Sequence, residues 1–384
     1  MELVDGNRLQ LLRTGAEFFP ALEAAIAAAR HEVYLESYIF ADDAAGRRVA
    51  RALAEAAGQG VRTHVIVDGI TVKRYMGGLQ EQLLAADVSL AIYRPDISPW
   101  DFSARRLRRL HRKIAVIDAR VAFIGGINVI DDMHTPGHTP PRYDYAVRIE
   151  GPLVASIRAE ADRLWRLVAL SNFQQWWEAA PLPPADTAPG GYQRAAFVVR
   201  DNFRHRSDIE DAYLAAIERA NEEIILASAY FFPGARFRRA LVAAAGRGVR
   251  VILLLQARVE YVLLHFASRA LYGQLLDAGV QIFEYTKSFL HAKVAVVDGR
   301  WATVGSSNID ALSLLLMREA NVVVEDRRFA LELRESLLER VLDGARPVAR
   351  ARWRRQPLHQ RVRIWIAYGI ARFFIGWFGY GGKH

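Results

Sequence analysis

Apolar residues in the first 120 positions of the chain follow two alternating periods. At 32–40, 61–68, 88–93 and 113–118 they recur with a period of two, or in short continuous runs, which predicts strands. At 16–30, 46–57 and 79–86 they recur with the helical period. Strands that alternate with helices predict an α/β fold, with helices on the faces of a mixed, largely parallel sheet.

The same order of elements begins again after residue 191, with strands predicted at 223–231, 249–254, 280–284 and 293–298. Local matches support a duplication: Gly58-Gln-Gly-Val-Arg62 recurs as Gly246-Arg-Gly-Val-Arg250, and Leu35-Glu-Ser37 as Leu226-Ala-Ser228. We therefore predict two related α/β/α halves, at 1–178 and 192–345. A Pro/Gly-rich linker at 179–191 joins them, and a basic aromatic tail follows at 346–384.

The positive charge of the chain is concentrated in that tail. The formal net charge is +9, from 51 Lys and Arg against 42 Asp and Glu. From 346 to 384 there are nine Lys and Arg and no acidic residue, so the remainder of the chain is formally neutral. A nuclease would be expected to carry its excess on the catalytic body, so no nucleic-acid partner is expected.

Three absences narrow the possible functions and locations of the protein further. The chain has no cysteine, which excludes disulfides, thiolate nucleophiles and cysteine-ligated metal centres. Its first ten residues, MELVDGNRLQ, lack the basic and apolar regions of a signal peptide, which favours a cytoplasmic location. No stretch reaches the ~18 uninterrupted apolar residues that are typical of a spanning helix.

One motif occurs at the same place in both halves. His111-Arg-Lys113 is followed by Asp118 and Asn128, and His291-Ala-Lys293 by Asp298 and Asn308, with 17 residues from each His to each Asn. In a strand, residues two apart share a face, so each motif presents an imidazole and an ammonium to one surface. Only five of the 51 basic residues are lysines, and two of them stand in these motifs. Because both copies are complete, a purely structural role is disfavoured.

This pair of motifs resembles the signature of the phospholipase D superfamily, a duplicated His-x-Lys-x4-Asp with a downstream Gly-x-x-Asn. Within the superfamily, segments 110–128 and 144–152 resemble bacterial cardiolipin synthases of the B type. The resemblance implies that the two halves pack about a pseudo-twofold axis around a single active site. It also implies that neither a metal nor another cofactor is required.

The resemblance implies roles for the motif residues. One histidine attacks phosphorus and the other acts as acid and base; His111 is assigned as the nucleophile and His291 as the acid/base, although the symmetry of the motifs leaves that order open. The phosphate oxygens would be held by Lys113, Lys293, Asn128 and Asn308. Asp118 and Asp298 complete the catalytic motif, although hydrogen bonding that secures the local fold is the favoured interpretation of both.

Other residues near the motifs are candidates for supporting roles. Asp144 and Glu319 open matching strands after the two motifs, and each is a candidate to orient an imidazole. Ser306 stands where the first half has Gly126, so a hydroxyl contact to phosphate would come from one side only. The arginines just before and within the first motif would either attract anionic head groups or form a solvated basic loop; they are Arg105, Arg106, Arg108, Arg109 and Arg112.

The segment at 131–143 makes the first half five residues longer than the second between the motif asparagine and the following carboxylate. A lid over the lipid head group and an ordinary surface loop are both open interpretations. His134 and His138 have a spacing known from metal sites, but the surrounding prolines disfavour the helix that such a site would need.

Aromatic residues follow the basic part of the tail, between 364 and 380: Trp365, Tyr368, Phe373, Phe374, Trp377, Phe378 and Tyr380. This composition favours an interfacial segment on anionic lipid. A helix that packs on the body or mediates dimerisation is the alternative.

Together these features predict a phosphatidyltransferase. The resemblance implies transfer of a phosphatidyl group from phosphatidylglycerol to the glycerol hydroxyl of a second phospholipid, which gives cardiolipin and glycerol. It places the enzyme at the cytoplasmic face of the bacterial inner membrane, with no obligate protein partner. Phospholipid hydrolysis and a nucleic-acid phosphodiesterase remain open alternatives, while the intact motifs disfavour a non-catalytic scaffold.

Overall fold

The computed structural model describes residues 1–95, 108–171, 185, 187–201, 204–258, 262–310 and 317–378, and side chains as far as 373. The elements of the first half, in chain order, are β1 (Val4–Arg13), α1 (Thr14–Ala27), β2 (Glu32–Ser37), α2 (Ala44–Gly58), β3 (Arg62–Asp68), α3 (Gly69–Thr71), a π-helical turn (Val72–Met76), α4 (Leu79–Ala85), β4 (Ser89–Tyr93), β5 (Ile114–Ile117), β6 (Val121–Gly125), β7 (Arg142–Tyr143), β8 (Tyr145–Glu150) and α5 (Leu153–Ser171).

The second half repeats this order and continues into the tail. Its elements are β9 (Gln193–Arg200), α6 (Asp208–Arg219), β10 (Glu223–Ser228), β11 (Phe231–Phe232), α7 (Ala235–Gly246), β12 (Arg250–Gln256), α8 (Val262–Arg269), α9 (Tyr272–Asp277), β13 (Gln281–Tyr285), β14 (Phe289–Leu290), β15 (Lys293–Val297), β16 (Trp301–Gly305), β17 (Ile309–Asp310), β18 (Glu319–Glu325), α10 (Arg327–Gly344), β19 (Ala345–Pro347), α11 (Arg350–Arg354) and α12 (Leu358–Phe378).

Fifteen of the described strands form one continuous sheet, in the order β19-β13-β12-β10-β15-β16-β18-β9-β1-β8-β6-β5-β2-β3-β4. The order on one side of the β9–β1 contact mirrors the order on the other, as a pseudo-twofold relation between the halves requires. The two halves meet where β1 pairs with β9 through Val4 opposite Ala195 and Asn7 opposite Gln193. The predicted α/β fold of two related halves is confirmed.

Strand direction differs between the outer and inner parts of each half. The parallel pairs of this sheet are β2-β3-β4 and β10-β12-β13, whose strands are joined by helical crossovers. The strands next to the motifs are joined by short turns at 118–120 and 298–300, which force antiparallel pairing of β5 with β6 and of β15 with β16. The mixed sheet was predicted, whereas the extent of its antiparallel part was not.

Helices cover both faces of the sheet, so the core has three buried apolar clusters. One lies under α1, α2 and α4 in the first half, and another under α6, α7 and α9 in the second. The third is central and contains residues of both halves, including Ile157 of α5 and Leu333 of α10. Burial of apolar surface in this central cluster stabilises the contact between the halves, at ~25 cal/mol per Å² removed from water.

The predicted boundaries are only partly within the described residues. Most of the linker at 179–191 lies outside them, as do Arg105, Arg106 and the last six residues of the tail. Residue 346, where the tail was predicted to begin, lies within β19, which pairs with β13 and so extends the sheet of the second half. In the described part of the chain, no helix has the length and apolar character that crossing a bilayer requires.

Candidate active site

A backbone bridge between the halves places His111 beside the carboxylate of Glu319. Leu110 pairs with Arg318, and the His111 amide donates to the Arg318 carbonyl at 2.9 Å. The next residue is Glu319, whose carboxylate oxygens lie 2.9 and 3.1 Å from His111 Nδ1. The first motif therefore receives its acidic partner from the second half of the chain.

The reciprocal arrangement holds at His291. Here β14 pairs with β7, and the His291 amide donates to the Tyr143 carbonyl at 2.8 Å. Asp144 follows, and its Oδ2 lies 2.6 Å from His291 Nδ1. The predicted acidic partners are thus both present, and each serves the motif of the other half. Because Nδ1 of each ring is bound to a carboxylate, Nε2 is the nitrogen left for a substrate.

The two motif lysines are buried next to the same carboxylates. Lys113 Nζ donates to the His111 carbonyl at 2.5 Å, and Lys293 Nζ likewise donates to the His291 carbonyl. Lys293 Nζ also lies 3.4 Å from Asp144 Oδ2 and 2.9 Å from His291 Nδ1. Asp144 is therefore shared between an imidazole and an ammonium, whereas both oxygens of Glu319 approach His111.

Burial dominates the proton affinities of these groups. It lowers the pKa of His291 to about 3, with a further lowering by the Lys293 ammonium. Burial also lowers the pKa of His111, although Glu319 opposes the shift. It lowers the pKa of Lys113 to about 7. Burial would raise the pKa of Asp144, but Lys293 and His291 outweigh it and the pKa is lowered. In the free protein the imidazole of His291 is therefore neutral at pH 7.

The motif aspartates do not belong to this cluster. Asp118 accepts hydrogen bonds from the backbone amides of residues 30–32, at 2.7 to 2.9 Å. Asp298 does the same for the amides of residues 221–223, each at 2.9 Å. Five residues of strand, roughly 16 Å, separate each from its motif lysine. Both carboxylates fix the turn that leads into β2 or β10, which is the local structural role that was favoured from the sequence.

Ser306 lies beside the carboxylate of Glu319. Its side chain is fully buried, its hydroxyl donates to Glu319 Oε2 at 2.5 Å, and it accepts from the Ala320 amide at 3.0 Å. The hydroxyl therefore supports the carboxylate behind His111, and a contact to phosphate stays a prediction. At the matching position, a Cβ on Gly126 would come within 2.3 Å of Asp144 Oδ1. In the first half the carboxylate of Asp144 lies against Gly126. It occupies the space that the side chain of Ser306 fills beside Glu319 in the second half.

The motif asparagines lie at the base of the site and are almost fully buried. Asn128 Oδ1 accepts from the Ile39 amide at 3.2 Å, which fixes the orientation of its amide group. Asn308 Oδ1 has no hydrogen-bond partner within the described residues. A role in holding phosphate oxygens remains a proposal for both.

Comparisons with known proteins agree with this geometry. Residues 22–165 and 213–341 match the family described as "Cardiolipin synthase, PLD-like domain". The chain belongs to this family. Cardiolipin synthase B of Escherichia coli K12 is 42% identical over 334 residues, which cover 87% of this chain and 80% of the relative. Cardiolipin synthase B of Salmonella typhi is 38% identical over 377 residues, 97% of this chain and 90% of the relative.

A solved structure has the same fold. The crystal structure of phosphatidylserine synthase from Haemophilus influenzae Rd KW20 aligns with a TM-score of 0.69 at 12% identity, and covers 95% of this chain and 93% of that one. The chain is accordingly an enzyme of the phospholipase D superfamily and a phosphatidyltransferase by family.

The ion-pair partners of two arginines beside this phospholipase D site were not predicted. Arg112 is 1% exposed, donates from Nη2 to Glu36 at 2.8 Å and from Nη1 to Glu160 at 2.6 Å. Arg109 donates to Asp68 from Nε at 2.9 Å. These two guanidinium groups are held in internal ion pairs, so neither forms a solvated basic loop nor is presented to lipid head groups. The sequence contained a signal for the first of these pairs. Glu36 and Arg112 of the first half correspond to Ala227 and Ala292 of the second, so both charges are present in one half and both are absent from the other.

The rings next to the two histidines were missed as well. Tyr38 lies 5.0 Å from His111, and Phe289 lies 5.6 Å from His291, measured between ring centroids. The position of Phe289 two residues before His291 places both side chains on one face, by the same alternation that joins each His to its Lys. That signal could have identified it.

The arrangement provides what phosphodiester chemistry needs. Two imidazoles with free Nε2 atoms can supply a nucleophile and a proton carrier, while two ammonium groups can offset the charge of the phosphate. No group of three or more His, Asp or Glu that could hold a metal ion is found among the described residues.

Proposed function

We propose that this phospholipase D-type enzyme makes cardiolipin. The phosphatidyl group of phosphatidylglycerol would pass through a histidine to the glycerol hydroxyl of a second phospholipid, with release of glycerol. The observation that carries the proposal is the reciprocal pairing of each motif histidine with a carboxylate of the other half. It supplies each of the two imidazoles with a carboxylate that can orient the ring for covalent catalysis, and the relatives are named as cardiolipin synthases.

The chemistry takes place in two steps. Nε2 of His111 attacks phosphorus, the bond from phosphorus to the glycerol oxygen breaks, and His291 supplies the proton that the departing oxygen needs. The incoming hydroxyl then gives its proton to His291, attacks phosphorus and breaks the phosphorus–nitrogen bond. Glu319, with both oxygens near His111 Nδ1, supports the positive charge that the ring acquires in the intermediate. Lys113, Lys293, Asn128 and Asn308 would bind the phosphate oxygens.

The low pKa of free His291 fits this scheme only if bound substrate changes it. The phosphate anion brings negative charge beside the ring, which raises the pKa of the imidazole and allows it to carry the proton. The order of the two histidines is a separate part of the proposal, because both motifs contain the same catalytic groups.

Lipid mass spectrometry tests the activity. Purified protein is incubated with phosphatidylglycerol vesicles and a chelator, next to His111→Ala, His291→Ala and the exposed control His31→Ala. Cardiolipin and glycerol from the wild type and the control, and from neither motif variant, are expected. Phosphatidic acid alone would make the protein a hydrolase, and no lipid turnover would overturn the proposal.

The order of the histidines is tested by trapping the intermediate. With His291→Ala and a lipid that has a good leaving group, the phosphatidyl group should accumulate on His111, and peptide mass spectrometry locates it. A label on His291 in the His111→Ala variant, with none on His111 in the reverse case, would exchange the two roles.

We also propose that the tail is the membrane contact, on the cytoplasmic side. Helix α12 packs on the body through Ile364, Ala367 and Ala371, which are at most 7% exposed. Its opposite side presents apolar side chains to solvent, with Trp365, Ile366 and Phe373 each more than half exposed. Exposed arginines at 361, 363 and 372 flank them, and each contributes about 1 kcal/mol near an anionic surface.

Co-sedimentation with vesicles measures this contact. Trp365→Ser with Phe373→Ser should weaken binding to phosphatidylglycerol vesicles, while binding of the wild type to phosphatidylcholine vesicles should already be weak. Ser substitutions at the buried side of α12 would test folding instead and are avoided. Equal binding of the double variant and the wild type would exclude this surface.

A further inference from the structure

The His291 side of the site is bounded by a stack of rings that comes from both halves. Phe289 is 5% exposed and lies 5.6 Å from the His291 ring. The ring of His138, from the loop at 131–143, stacks on Phe289 with centroids 4.1 Å apart and an interplanar angle of 16°. The Arg142 guanidinium carbon lies 5.5 Å from the centroid of Phe289. We call His138 and Phe289 the aromatic wall.

The loop that carries His138 is held by hydrogen bonds within itself and by one to the start of α1. Arg142 donates from Nη1 to the Asp131 carbonyl at 3.2 Å and from Nη2 to the His134 carbonyl at 2.9 Å. The Gly15 amide donates to Asp132 Oδ2 at 2.5 Å, and the Thr135 hydroxyl donates to the His138 carbonyl at 3.2 Å. These bonds fix the shape of the loop that places His138 on Phe289.

The His111 side has no such stack at the matching position. Arg109 stands two residues before His111, as Phe289 stands two before His291, and Arg109 is paired with Asp68. The residue two positions before His111 is therefore an ion-paired arginine, whereas the residue two positions before His291 is a phenyl ring on which a second ring stacks. The chemistry on the two sides also differs. One alcohol leaves and the next arrives beside the histidine that donates and accepts their proton, which is His291 in the proposed mechanism.

We infer that the aromatic wall confines the acceptor alcohol beside His291 and keeps water from reaching the phosphohistidine, so that transfer prevails over hydrolysis. This inference rests on the proposed function and identifies the residues that favour an alcohol over water as the acceptor. Water that reached phosphorus would give its proton to His291, break the phosphorus–nitrogen bond and release phosphatidic acid. The phenyl ring of Phe289, with the His138 imidazole stacked on it, offers that water no hydrogen bond, whereas the carbon chain of a glycerol head group can pack against the phenyl ring.

The test measures the ratio of phosphatidic acid to cardiolipin formed from phosphatidylglycerol vesicles. His138→Ala and Phe289→Leu should each raise this ratio by about tenfold, because an opened wall admits water. His138→Phe preserves the stack and should keep the wild-type ratio. His134→Ala removes an exposed histidine of the same loop and is the matched control, expected to leave the ratio unchanged. Because each value is a ratio of two products, it does not depend on how much of a variant folds.

An unchanged ratio in both His138→Ala and Phe289→Leu, with cardiolipin still formed, would overturn the inference. So would an equal rise in His134→Ala, since any loosening of the loop would then suffice. Failure of the wild type to form either product would instead refute the proposed function, and is seen before any variant is compared.

Discussion

The two halves present the same catalytic groups on different supports. Behind the first motif, Arg112 pairs with Glu36 and Glu160 in a buried ionic layer. Behind the second, the matching positions 227 and 292 are buried alanines of the central cluster. Beside the first histidine Asp68 accepts from the Leu110 amide at 2.9 Å, and beside the second Gln256 accepts from the Leu290 amide at 2.8 Å.

This comparison shows which features the chemistry requires. His, Lys, Asn and a carboxylate from the other half are present in both copies, whereas the supports differ in charge, size and polarity. A buried support needs only to fill space and satisfy its polar groups, and an ion pair or two small apolar residues can each do so. The differences between the halves therefore offer natural substitutions with which to test each support.

The largest effect is expected at the exchanged carboxylates. Asp144→Asn and Glu319→Gln keep the shape but remove the charge that orients and supports each imidazole, and each should lower kcat by about 10²- to 10⁴-fold. Glu150→Gln and Glu325→Gln, at the other ends of the same two strands, are controls and should retain activity. A loss at only one of the two positions would show that the halves are not equivalent in their need for an acidic partner.

The ionic layer should be the next most sensitive. Arg112→Ala leaves Glu36 buried without its partner and should reduce the free energy of unfolding by about 3–5 kcal/mol. The double variant Glu36→Ala/Arg112→Ala copies the second half and should recover part of that loss in denaturant unfolding. Arg236→Ala breaks an exposed pair with Asp211 and should cost less than about 1 kcal/mol. A double variant no more stable than the single one would contradict the comparison.

His64 should make the first half sensitive to acid. Its ring lies between Tyr34 and Trp165, at 4.9 and 4.4 Å, and burial lowers its pKa to about 4. The matching residue of the second half is Ile252. Below about pH 6.5 the unfolded chain takes up a proton that the folded chain refuses, so stability falls as the pH drops from about 6.5 to 4, by up to about 3 kcal/mol.

Denaturant unfolding at pH 7 and pH 4.5 measures this contribution. His64→Ile should reduce the difference in stability between the two pH values, while a surface substitution such as His31→Ala should leave it unchanged. An identical pH dependence in wild type and His64→Ile would remove His64 as its cause.

The smallest effect is expected at Ser306. Ser306→Gly gives the second half the residue of the first and removes a charge-assisted hydrogen bond to Glu319, which should lower kcat by about tenfold. Ser306→Thr keeps the hydroxyl and tests whether the bond or the space matters. An effect as large as that of Glu319→Gln would mean that the serine has a more direct part in the reaction.

Much of the fold and of the site could be predicted because the same order of elements and the same motif occur in both halves of the sequence. The periods at 61–68 and 249–254 correspond to β3 and β12, and the paired motifs with Asp144 and Glu319 were visible as repeats. The antiparallel strands were harder, since β6 and β16 belong to hairpins whose apolar runs have no period that reveals direction. The exchange of carboxylates could not be predicted, because it depends on how the halves pack and no local pattern encodes that packing.

The local contacts of Asp118 and Ser306 were hard to predict for a common reason. Asp118 and Ser306 stand beside catalytic residues in sequence, and proximity along the chain does not reveal which way a short side chain points. Asp118 lies at a turn with a φ of 50°, where its carboxylate reaches backbone amides, and Ser306 turns inward to the glutamate. Only the three-dimensional arrangement separates groups that meet substrate from groups that hold the scaffold.

The exchange of carboxylates also has a consequence for ancestry. An interface in which both subunits use the same surface is isologous. Two identical subunits could form it without any change of sequence, each supplying the carboxylate that pairs with the histidine of the other. A short precursor with one motif would therefore have been active as a homodimer, with two indistinguishable histidines. Fusion of two gene copies removes that identity, because each copy can then mutate alone. The difference between Asp144 with Gly126 and Glu319 with Ser306 is of the kind that independent mutation of the two copies allows.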